Sequence, residues 1–171
     1  MTTATPPSIS RERADLLQTL AKHRGFLRQT IDGVTEAQAR ATTTVSALSL
    51  AAIVKHVTGG ERTWRTFIEF GAEAFADSSP ETYAAEWIVD PDATVATLLA
   101  AYGAEAQATD AVVASLPDLD LAHALPEAPW FEPGAAWSAR RVLLHIIAET
   151  AQHAGHADII REAIDGAKTM G

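Results

Sequence analysis

Apolar residues recur at spacings of three and four along most of this chain, and four stretches keep the pattern long enough for a helix of several turns. Ser10 can cap the first, with Glu12 in its opening turn. Leu16, Leu20, Phe26, Leu27 and Ile31 form its stripe, and Gly33 ends it. After a polar connector with Glu36, Gln38 and Arg40, Ser46 or Ser49 caps a second helix through Ile53, Val57, Gly60, Trp64, Phe67 and Phe70, closed by Gly71. Residues 72–92 read as irregular, and Asp90-Pro91-Asp92 as a stop followed by a start. The third helix runs from about Ala93 to Ser115, carries Val95, Leu98, Leu99, Tyr102, Val112 and Val113, and is terminated by Pro117. Ser138 caps the fourth, which ends at Gly166. No segment sustains period-two alternation, so an all-α four-helix bundle is expected.

The fourth helix breaks its own pattern. Its inward stripe runs Val142, Ile146, Glu149, His153, His156, Ile160, and the middle three are not residues a bundle core wants. A carboxylate and an imidazole one turn apart lie on the same face, and burying them unpaired is costly. A metal ion is the partner that suits this pair. His56, between Ile53 and Gly60 on the second helix, borders the inward face and supplies a third candidate ligand. Three protein ligands leave a coordination position open, which is the mark of a catalytic rather than a structural site. Asp158, Thr150 or Glu61 can provide the oxygen that a ligating histidine usually donates to. His156 lies about two turns from Glu149, roughly 10 Å along the axis, and His145 lies further from His153, so Glu149 with His153 is the favoured pair.

The 171 residues suffice for one domain with a sizeable core, and 47% are hydrophobic, as in a globular chain. Residues 1–9, rich in Thr and Pro, read as a flexible arm before a single domain over 10–171. A formal net charge of -9 argues against nucleic acid and anionic membrane as partners. No stretch approaches a membrane span and the N-terminus does not read as a signal peptide, so a cytoplasmic protein is expected. There is no cysteine. Any metal must be held by His, Asp and Glu, and any thiol chemistry must bring its sulfur from outside.

The long third connection, residues 116–137, exceeds what a bundle corner needs, and such loops often cover a site. It carries Trp130, Phe131 and Trp137, which can plug the bundle end or contact a bound molecule. Trp64 reads as core. Arg140, Arg141 and Arg161 can bind an anionic group or form surface ion pairs; for Arg161 the partners in reach are Asp158 and Asp165.

The stretches LSLAAIVKHV with the downstream ERTW, WSARRVLLHIIAETAQHAGHADIIREAIDG, and the opening RADLLQTLAKHRGFLRQTI with EAQAR resemble the DinB-like metal-binding superfamily. Within it the chain is most similar to the branch related to mycothiol-dependent S-transferases and mycothiol-dependent maleylpyruvate isomerase. The resemblance implies a bundle of up-down-down-up type, homodimeric, holding a divalent metal, zinc or nickel, through three side chains. In the isomerase type the second ligand is a glutamate, and that pattern falls on His56, Glu149 and His153. Many relatives carry Gln after the last ligand, in an Arg-Gly-Gln run, where this chain has Ala154-Gly155-His156, so no role transfers to His156. What the resemblance implies is a metal-dependent S-transferase joining a low-molecular-weight thiol, mycothiol, to a small electrophile; Trp130, Trp137 and Arg161, singled out above from the residues themselves, are the candidate contacts to such a thiol. The rivals are a hydrolase using metal-bound water, with His156 or Glu61 as base, and a non-catalytic metal-binding dimer.

Overall fold

The computed structural model describes residues 9–169, so most of the N-terminal arm expected over 1–9 lies outside the described residues. The protein is mostly helical. Four long helices dominate: α1 (Arg11–Ile31), α3 (Leu50–Phe70), α5 (Val95–Ser115) and α6 (Ala139–Asp165). Two short ones join them, α2 (Glu36–Arg40) and α4 (Pro80–Ala85), with a 3₁₀ turn at Gly71–Phe75. Each long helix opens on a hydroxyl cap: Ser10, Ser49, Thr94 and Ser138 each accept from a backbone N–H three residues on. None of the described helices is long and apolar enough to cross a membrane.

The four helices pack as a ring, α1 beside α6, α6 beside α3, α3 beside α5 and α5 beside α1. Their apolar stripes build two cores. One gathers Leu27, Ile31, Ile53, Val54, Val57, Tyr102, Ala157 and Ile160; the other gathers Leu20, Phe67, Ile68, Val113, Leu143 and Ile146. Between them every long helix changes character. Buried polar residues occupy the crossover: Arg24 on α1, Thr58 and Glu61 on α3, Glu105 and Thr109 on α5, Thr150 on α6. Chain order through the two cores shows that α1 and α6 run one way while α3 and α5 run the other.

Several expectations are corrected. Segment 72–92 is not irregular throughout, because Ser79 caps α4 with Thr82 returning the bond and Pro80 fits its first turn. The polar connector after α1 likewise holds α2, opened by a Thr35–Gln38 capping box. Helix α5 begins at Val95, since Thr94 is its cap. Ser49 rather than Ser46 caps α3. The 116–137 connection contains two three-residue strands, β1 (Ala122–Ala124) and β2 (Ala136–Ser138), paired antiparallel with His123 opposite Trp137. Strands this short leave no period in the sequence. Gly71 takes φ 68 and ψ -144, a region closed to side chains, with His123 directly against it. His123 Nε2 donates to the Ile68 carbonyl at 3.1 Å, tying the strand pair to the end of α3.

Candidate metal centre and adjoining cavity

Helices α3 and α6 pack together at mid-length and bring His56, Glu149 and His153 into one cluster. One ligand atom from each lies within 4.8 Å of the other two. Glu149 and His153 are neighbours by helical spacing, with Glu149 Oε2 3.5 Å from His153 Nε2, too long for a good hydrogen bond. The His56 and His153 rings meet edge to face at 4.9 Å.

His56 is held on two sides. Its Nδ1 lies 3.1 Å from Glu86 Oε2, and an ionised carboxylate can only accept, so Nδ1 carries the proton. The Nε2 lone pair is then the one available to a cation. Trp87 stacks on the imidazole at 3.8 Å with 15° between planes, fixing the ring's orientation. Both residues come from the turn after α4.

The donor set fits a divalent cation. It combines a half-buried carboxylate with two shielded imidazoles, and His153 Nδ1 is buried without a hydrogen-bond partner. Burial, reinforced by the neighbouring His56, holds the His153 pKa below the ordinary imidazole value. The ring is therefore neutral at neutral pH, the form that binds metal.

The cluster borders a cavity of about 460 Å³. Trp64, Phe75, Tyr83, Trp130 and Phe131 form its aromatic walls, and His56, Glu149, Thr150 and His145 face it. Burial also lowers the His145 pKa. A second cavity of about 380 Å³ adjoins it, sharing Phe75, Ser78, Tyr83, Trp130 and Phe131.

The other candidate residues separate. Trp130 is 63% exposed and lines both cavities. Trp137 stacks on Trp64 at 4.8 Å and carries Arg141 on its other side, so it backs the wall from behind. Trp64 packs on the second core and faces the cavity as well. Arg161 binds Asp165 and the carbonyls of Thr30 and Asp32, satisfying the end of α1. His156 bonds Ser46 at 3.2 Å. Asp158 accepts from the Thr169 backbone, away from the cluster. Glu61 reaches the cavity wall, but both its oxygens accept from Arg24.

Sequence reasoning missed Glu86, Trp87 and Tyr83, which lie in the stretch read as irregular. The Ser79-Pro80-Glu81 run, a cap followed by Pro and an acidic first turn, was the signal that a helix presents them.

The family model described as Mycothiol-S-transferase matches residues 15–166, which include both long helices of the cluster. The chain belongs to that family. No curated protein matches it.

Proposed function

We propose that this member of the mycothiol S-transferase family is a metal-dependent thiol S-transferase, joining mycothiol to a small electrophile on a four-helix bundle of up-down-down-up connectivity. The opposed directions of the α1/α6 and α3/α5 pairs support that connectivity. The observation that carries the chemistry is a His–Glu–His donor set bordering an aromatic-walled cavity that His56 and Glu149 line, in a chain with no cysteine of its own.

The residues divide the work. His56, oriented by Glu86 and Trp87, and His153, whose pKa burial lowers, present imidazole nitrogens. Glu149 adds the one negative charge. A divalent cation, zinc or nickel, held there would lower the pKa of a thiol sulfur and keep it as the thiolate. The aromatic walls offer stacking surface that brings the electrophile to the sulfur. His145, kept neutral by burial, is placed on the same wall to accept the proton the thiol gives up.

Cobalt substitution tests this reading. Adding mycothiol to the cobalt-loaded protein should produce a sulfur-to-cobalt charge-transfer band in the near ultraviolet, which no residue of a cysteine-free chain can imitate. A thioether analogue of the same size should produce much less. His153→Ala should lose cobalt and the band together, while His156→Ala keeps both. Absence of the band with every cellular thiol, in protein that holds cobalt, would leave the hydrolase or the non-catalytic reading.

A further inference from the structure

The two adjoining cavities carry charge of one sign only. Glu86 and Glu149 reach the larger and Glu127 the smaller, Glu61 on the larger's wall is paired with Arg24, and among the described residues no lysine or arginine lines either. The nearby cations are committed elsewhere. Arg24 is bound by Glu61 and Asp110, and Arg62 and Arg65 by Glu105. Lys55 Nζ donates to the carbonyls of Ala85 and Ile88, and Arg141 lies on Trp137. An anionic group entering the cavity would lose its water, meet carboxylates and find no cation. A divalent cation offers little relief, because Glu149 and a bound thiolate already balance its two charges. The walls are flat and aromatic, and suit a flat, apolar guest.

We infer that the electrophile taken by this site is an uncharged, planar, largely aromatic molecule, and that carboxylated electrophiles are rejected. Its reaction rests on the transferase reading; its binding preference rests on the cavity alone. Conjugate addition to an electron-poor alkene is the matching step. The sulfur forms a bond to the β carbon, the π pair shifts to the α carbon, and that carbon takes up the proton released by the thiol. There is no leaving group and no redox change.

Unreactive ligands test the preference first. N-phenylsuccinimide and N-(4-carboxyphenyl)succinimide differ by one carboxylate, and their binding to the metal-free chain, in which no open coordination position can capture the carboxylate, can be read from quenching of tryptophan fluorescence. The neutral ligand should bind at least about tenfold more tightly. Ser78 is exposed and lines both cavities, so Ser78→Lys adds a cation without removing an aromatic wall or disturbing a core. It should narrow the gap at least about threefold by tightening the carboxylated ligand. Equal or tighter binding of the carboxylate by the unaltered protein, or no binding of the neutral ligand at millimolar concentration, would overturn the inference. Turnover of the corresponding maleimides with mycothiol then separates the two readings. A binding preference without turnover would sink the transferase and keep the cavity's selectivity. Turnover that favours the carboxylated maleimide would keep the transferase and sink the selectivity.

Discussion

Glu86 accepts a hydrogen bond from His56 Nδ1, and that bond decides which ring nitrogen is left for a cation. Removing such a partner typically weakens metal affinity about 10–100-fold. Glu86→Ala should therefore fall in that range by competition with a chromophoric chelator, while Glu86→Gln, which keeps an acceptor oxygen, should recover most of the affinity. Equal affinities in the two variants would show that the bond does not orient the ligand. Titration gives a second outcome. The pKa values of His145 and His153 both lie below 6.5, held down chiefly by burial. The unfolded chain then binds more protons than the folded one between the lowered values and 6.5, so stability rises with pH across that window. The metal-free protein should lose melting temperature as pH falls through 6.5, and His145→Gln should flatten part of the slope. A melting temperature that climbs on acidification would refute the direction of both shifts. Glu149 and His153 could be found in the sequence because a charged pair interrupted an apolar stripe. Glu86 and Trp87 had only the Ser79-Pro80-Glu81 start signal before them, because nothing periodic surrounds them and their importance comes from folding back onto His56.

The turn from α3 into the 3₁₀ segment is where one backbone position shapes the cavity. Gly71 sits at φ 68, ψ -144, and a Cβ built there would lie 3.1 Å from His123 Nδ1. The two faults add, since the conformation is strained for any side chain and the neighbour is held by its bond to Ile68. Gly71→Ala should cost about 1–3 kcal/mol, or roughly 2–12 °C in melting temperature for a chain of this size. Phe75 and Ser78 follow this turn and line both cavities, so the variant should also weaken binding of an aromatic ligand. A variant with unchanged melting temperature would mean the turn relaxes freely. At this scale the long helices were legible from their stripes and caps. Helix α4 left only its start signal at Ser79-Pro80-Glu81 and the β1–β2 pair left none, because one or two turns, or three residues, are too short to show a period. They are fixed instead by contacts distant in sequence, such as Lys55 on the carbonyls closing α4.

The whole molecule is two apolar cores joined through a polar belt, and the belt lies at the level of the candidate metal centre. Its centre is the Arg24–Glu61 pair, whose side chains are 6% and 0% exposed, with Asp110 completing the guanidinium's contacts. In sequence Glu61 read as a candidate base, because nothing local announced a partner 37 residues away. The structure makes it the counter-ion of a buried arginine, and the two roles predict different variants. A base replaced by Gln leaves a folded, slow enzyme. A buried counter-ion replaced by Leu strands a charge, which typically costs about 3–5 kcal/mol, whereas removing both partners for apolar residues is often nearly neutral. Glu61→Leu should therefore be strongly destabilised in denaturant melts, and Arg24→Leu with Glu61→Leu should recover much of the loss. The double variant keeps His56, Glu149 and His153, so it should still bind metal. Thermal stabilisation by the cation would then survive in it, about 2.7 kcal/mol at a hundredfold excess over Kd. If the double variant were as unstable as Glu61→Leu alone, the belt would be holding the helices by more than this pair. If instead Glu61→Leu kept full stability and lost only activity, Glu61 would act in the chemistry rather than in the fold.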